Sequence, residues 1–97
     1  MPTHIIFGKF TQQGIANIKD SPKRLEAARK VIESGGGTLK AFYYTMGQYD
    51  FVCITEGTSE ERLMRSLFMI GSAGSVRTET MVAVPADQAA KIISELP

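Results

Sequence analysis

Asp50 closes the segment Gly47-Gln48-Tyr49-Asp50, which lies between two apolar, strand-like runs, Leu39 to Met46 and Phe51 to Thr55. A carboxylate at the mouth of a strand is a candidate general base, and a tyrosine beside it, Tyr44 or Tyr49, would orient a substrate or donate a proton. Lys9 and Arg77 would hold a carboxylate or an enolate through charge-assisted hydrogen bonds. Asp50 is therefore the candidate catalytic residue, and Lys9, Tyr44, Tyr49 and Arg77 are the candidate ligand-binding residues. The structural alternative is that Asp50 pairs with Arg77, or caps turn amides around Gly47.

Other reactive side chains offer less. His4 is the one histidine, which removes any metal site built from several imidazoles. Its expected role is that of a hydrogen-bonded strand-end residue, with a lone haem ligand as the alternative. Cys53 stands between Val52 and Ile54 with no base near it in sequence, so buried packing is expected rather than nucleophilic work. Met64, Met69 and Met81 read as core or interface filler. The chain carries no serine nucleophile elbow, no Walker loop and no dinucleotide fingerprint, and neither a metal nor an organic cofactor is expected.

The elements that must position these residues follow from periodicity and punctuation. His4 to Phe10 is too short for a stable helix and too apolar for a loop, and reads as a strand buried on both faces. Thr11 to Asp20 reads as a connector loosened by Gly14. Ser21-Pro22 predicts a helix start with the serine as cap, and Leu25, Ala28, Val31 and Ile32 continue it at helical spacing to Ser34. Gly35-Gly36-Gly37 ends that helix. Strands are expected over Thr38 to Met46 and Tyr49 to Glu56, the latter with Tyr49, Phe51, Cys53 and Thr55 on one face. Thr58-Ser59-Glu60-Glu61 predicts a capping box headed by Thr58, opening a helix that Gly71 to Gly74 ends. Ser75 to Val84 is the fourth strand, and Ala86 to Leu96 a terminal helix whose Ala89, Ile92, Ile93 and Leu96 need a surface to lie on.

The doubled strand-helix-strand order predicts an α+β, ferredoxin-like βαββαβ domain with a C-terminal helix, formed by residues 1–97 as a single unit. Right-handed crossovers place the first strand between the third and fourth, with both helices on one face. The ends of strands one and two and the beginnings of strands three and four then share one edge, gathering Lys9, Tyr44, Tyr49, Asp50 and Arg77. Strand three is apolar on both faces, so the uncovered face is expected to close on a second copy as a sheet-to-sheet dimeric α+β barrel, with further assembly left open.

Three stretches resemble the GYD domain family: Gln13-Gly14-Ile15-Ala16-Asn17-Ile18-Lys19-Asp20-Ser21-Pro22-Lys23-Arg24, Gly47 to Asp50, and Gly74-Ser75-Val76-Arg77-Thr78-Glu79-Thr80. The resemblance runs from about Thr3 to Leu96. It implies the dimeric α+β barrel superfamily, which includes cofactor-free monooxygenases, haem-degrading enzymes, muconolactone isomerase-like proteins and small regulatory ligand-binding domains. The family has no settled activity, and fold analogy does not choose among these. Where the family often has Asn-Val-Arg-Thr this chain has Ser75-Val76-Arg77-Thr78, which implies a small change where the strand begins.

Eleven Lys and Arg against ten Asp and Glu leave a net charge of +1, too balanced for a surface that tracks phosphates, so neither nucleic acid nor an anionic membrane is an expected partner. The mixed charges from Lys19 to Lys30 read as a solvated helix face. No apolar run reaches the roughly 18 residues of a membrane helix and no secretory signal is visible, so a cytoplasmic protein is expected. The leading functional reading is a small-molecule-binding homodimer without established catalysis, whose cleft between sheet and helices takes an anionic or aromatic ligand. A cofactor-free enzyme abstracting a proton from, or oxygenating, an enolisable or aromatic substrate is the second reading. A purely structural oligomerisation protein is the third.

Overall fold

A computed structural model describes residues 2–97. In chain order the elements are β1 (Thr3–Phe10), α1 (Gln12–Ala16), a 3-10 turn (Ile18–Asp20), α2 (Ser21–Ser34), β2 (Thr38–Tyr44), β3 (Phe51–Glu56), α3 (Glu60–Ser72), β4 (Val76–Ala83) and α4 (Ala86–Ser94). The sheet order is β2-β3-β1-β4 with every neighbouring pair antiparallel, as the ferredoxin-like connectivity requires. Register fixes the faces. His4, Ile6, Gly8 and Phe10 stand opposite Val82, Thr80, Thr78 and Val76, and Ile6 and Gly8 also meet Cys53 and Phe51. These residues share the face that α2 and α3 cover. Ile6, Leu39, Cys53 and Leu63 form its buried centre, with Leu25, Phe42 and Leu67 packed around them.

Ile5, Phe7, Val52 and Ile54 alternate with that set and occupy the opposite face, where Tyr43 and Met81 flank them. Among the described residues no element covers this side, and Tyr43 and Met81 stay 61% and 49% exposed. α4 stops at Ser94, short of the expected Leu96, and its Ile92 and Ile93 are equally bare, as is Leu96 beyond it.

Several local expectations need correction. The connector after β1 is not loose: Thr11 caps α1 by accepting from the Gly14 amide, and Gly14 is buried because a β-carbon there would lie 2.0 Å from the Ser75 carbonyl oxygen. Ser21 does not cap α2. The 3-10 turn leads straight into the helix, the Ile18 carbonyl accepts the Ser21 amide, and the serine hydroxyl meets the Tyr44 hydroxyl at 2.9 Å instead. At α3 the cap is Ser59, which accepts from the Arg62 amide at 3.3 Å. Thr58 is buried and donates to the Gly35 carbonyl, tying the start of α3 to the end of α2.

The glycine triplet does end α2. Gly37 and Gly36 donate to the Ile32 and Glu33 carbonyls while Gly36 takes a φ of 86°, a conformation that costs glycine little. The central hairpin turns over residues 45–50, where Thr45 N–H donates to the Asp50 carbonyl at 2.8 Å and Gly47 takes a φ of 129°. Strand pairing stops at Tyr44 and Phe51, short of the expected ends at Met46 and Tyr49. Tyr49 therefore escapes the alternation and lies with Phe7 on the open face, not with Phe51.

Candidate functional site

The end of β1 and the start of β4 are locked together by backbone groups. Thr11 N–H donates to the Ser75 carbonyl at 3.0 Å, and its hydroxyl donates to the Gly74 carbonyl at 2.6 Å. Arg24 reaches down from α2 to donate to the Asn17 and Gly14 carbonyls at 2.9 and 3.2 Å. Asp50 joins from the hairpin, its N–H donating to the Gly8 carbonyl at 2.8 Å. The stretches around Gly14, Asp50 and Ser75 thus converge on one end of the sheet, and most of their specific residues hold that end in shape.

The five candidate side chains lie at this end but divide between faces. The Asp50 carboxylate accepts the Phe10 amide at 2.8 Å, so a backbone N–H rather than Arg77 is its partner. Lys9 and Tyr49 come together on the open face: the Lys9 ammonium lies 5.6 Å from the Tyr49 ring centre, a cation–π distance, and that ring packs on Phe7 at 4.9 Å. The Tyr49 hydroxyl donates to Glu79 at 2.5 Å, and the hydrogen bond to this carboxylate raises the tyrosine pKa above its ordinary value. Arg77 is the register partner of Lys9, yet its guanidinium donates to the Gly71 and Val76 carbonyls at 3.1 Å each. Gly71 lies in the last turn of α3, where unpaired carbonyls favour a cation. Tyr44 points to the helix side and meets Ser21.

A cavity of about 220 Å³ lies between α2, α3 and the sheet. Ile6, Phe42, Phe51 and Cys53 are among its lining residues, and Lys9, Tyr44, Tyr49, Asp50 and Arg77 are not. Burial pushes the Cys53 thiol up to about 11, which keeps it neutral. A second, wider groove runs between α3 and β4, with His4 and Glu60 among its residues. His4 is buried and its Nε2 lies 3.2 Å from Glu60 Oε1. The Glu60 backbone amide first, and the His4 hydrogen bond second, hold that carboxyl below the usual range, so the ionised oxygen accepts and Nε2 donates. His4 Nδ1 and the Thr55 hydroxyl are buried with no partner among the described residues.

Glu79, Ser21 and Glu60 are the partners that sequence reasoning missed. Glu79 alone was within its reach, since the strand register that pairs Lys9 with Arg77 also sets Phe7 opposite Glu79. Among the described residues no cluster of three His, Cys, Asp or Glu could hold a metal ion, and no helix is long and apolar enough to cross a membrane.

The GYD domain family model matches residues 4–93. The chain belongs to the GYD domain family. A relative from Thermus thermophilus, named a glutamine synthetase and cystathionine beta-lyase binding protein, is 32% identical over 86 residues, covering 88% of this chain and 90% of that protein. Among solved structures, the leucine response regulatory protein LrpA of Mycobacterium tuberculosis superposes on this GYD chain with a TM-score of 0.64 at 20% identity. That match covers 88% of this chain and 51% of the regulator, so the chain spans about half the regulator's length. A hypothetical protein of Pyrococcus horikoshii matches with a TM-score of 0.55 at 21% identity, over 88% of this chain and 92% of that one. These likenesses establish a ferredoxin-like fold.

Proposed function

We propose that this GYD protein is a non-catalytic, cytoplasmic binding module that works as a homodimer. The carrying observation is the open sheet face, where Ile5, Phe7, Val52, Ile54, Tyr43 and Met81 form one apolar surface with no element over it among the described residues. Covering such a surface with a second copy removes it from water at roughly 25 cal/mol per Å² of apolar area, which favours pairing. Lys9, Tyr49 and Glu79 rim that face at one end and would set the register of the two sheets. Asp50 supports the rim by holding Phe10. By analogy with the printed name of the Thermus relative, the paired module docks on a metabolic enzyme, with glutamine synthetase as the first candidate.

Light scattering on the eluting protein tests the pairing. Wild type runs at twice the chain mass, and Ile54→Asp, which places a charge at the centre of the open face, runs as a folded monomer. A monomeric wild type, or a dimeric Ile54→Asp, overturns it. Purified glutamine synthetase from the same organism, passed over the immobilised dimer, tests the partner; absence of binding removes that enzyme.

Small-molecule binding is the second reading, and the 220 Å³ cavity favours it. It places the ligand between the helices and the sheet, as the leading sequence reading does, but away from Asp50, Arg77 and Lys9.

A further inference from the structure

The cavity opens where alanines interrupt the larger apolar side chains of α2 and α3. Near the C-terminus of α2 the helices touch, with Ser66 donating to the Val31 carbonyl and packing on Gly35. Towards the other end, α2 presents Ala27 and Ala28, and Ala73 follows α3. Ala27, Met69 and Ala73 are exposed and frame a mouth, while Ile6 and Cys53 are buried at the base. The base also carries aromatic rings: Phe42 stacks on Phe51 with centres 5.1 Å apart, and Phe10 lies tilted at 5.9 Å from Phe51.

Among the lining residues Arg24 is the one charged group and is already committed, and the Ser75 and Thr78 hydroxyls are neutral. Ser21 is paired with Tyr44, and Arg24 donates to Asn17 and Gly14. A charged ligand would lose its hydration with no free charge to offset the loss. An apolar cavity of about 150 Å³ stays dry and holds benzene, so 220 Å³ has room for a somewhat larger ring. Stacked rings at the base favour an aromatic guest over an aliphatic one.

We propose that the cavity between α2, α3 and the sheet binds an uncharged aromatic molecule of one ring or two fused rings. The proposal rests on the small-molecule reading and narrows its anionic or aromatic ligand to a neutral aromatic one. Such a guest stacks over Phe42 and Phe51 and enters past Ala27 and Ala73.

Indole is the probe, because the chain has no tryptophan and indole emission is read without interference. Titrating the protein into indole gives a saturable blue shift at one indole per chain. Ala28→Leu fills the cavity and weakens binding by about tenfold or more while the circular dichroism spectrum is kept. Ala27→Leu, at the exposed mouth, weakens it without disturbing the core. Indole-3-acetate, the same ring with a carboxylate, binds about a hundredfold more weakly. If indole-3-acetate binds and indole does not, the neutral-ligand proposal falls while the small-molecule reading survives. If neither binds, or if both leucine variants bind indole as wild type does, both fall.

Discussion

Phe10 donates its backbone N–H to Asp50 Oδ2 across 2.8 Å, beyond the last β1–β3 pair, Gly8 with Phe51. The carboxylate continues the ladder after the strands have parted, which gives Asp50 a structural task at the hairpin mouth. Asp50→Ala should cost about 1–3 kcal/mol, because a partly buried amide loses its acceptor. Asp50→Asn keeps an acceptor oxygen and should lose less than half as much. Urea unfolding of the three proteins measures both, and equal losses for Ala and Asn would remove the hydrogen bond as the cause.

Gly8 faces the Phe51 ring, and a β-carbon on it would fall 1.9 Å from the tip of that ring. Gly8→Ala should therefore destabilise by about 1–3 kcal/mol through overpacking. Adding Phe51→Leu should recover part of the loss, because the obstacle is a side chain. Gly14→Ala should resist any such rescue, since the atom it meets is the Ser75 carbonyl oxygen of the backbone. Thermal melts of the single and double variants decide this.

The order of the strands and of the three longer helices, the sheet order and the two faces of β4 were legible because they depend on alternation and on handed connections, both written in residue type, whereas α1 was read as a connector. Chain ends and caps were less so. Ser59 and Thr58 carry the same kind of hydroxyl, and only the packing of Thr58 against Gly35 decides which one caps α3. The edge that gathers Lys9, Tyr44, Tyr49, Asp50 and Arg77 was also legible, but the facing of their side chains was not. Tyr49 lies outside the paired strand, so parity could not place it, and Arg77 is drawn to Gly71 by the end of a helix remote in sequence from Lys9. The cavity left no periodic signal, because alanines at Ala27, Ala28 and Ala73 fit any helix.

Tyr49 and Glu79 supply a titration that reports on the open face. The carboxylate accepts the phenolic proton and raises the Tyr49 pKa above 10.0, so ionisation is delayed to higher pH. Glu79→Gln removes the charge and should bring the Tyr49 titration down towards 10.0. Ultraviolet difference titration against Tyr49→Phe isolates this residue from Tyr43 and Tyr44. No change on Glu79→Gln would mean that the pair does not form in solution.

Cys53 makes the dryness of the cavity base measurable. Desolvation lifts its pKa from 9.0 to about 11, so at pH 8 the folded protein holds almost no thiolate and should resist iodoacetamide until urea is added. The same shift carries a sign for stability. Below pH 9 the thiol is neutral in both states and the folded protein loses nothing; between about 9 and about 11 the unfolded chain releases its proton first, and folding weakens as pH rises. The stability of wild type should therefore fall relative to Cys53→Ala across that window, and a pH-independent difference would show that water reaches the thiol. An aromatic guest seated above Phe42 and Phe51 should slow iodoacetamide further, because the route to Cys53 passes through the space it fills.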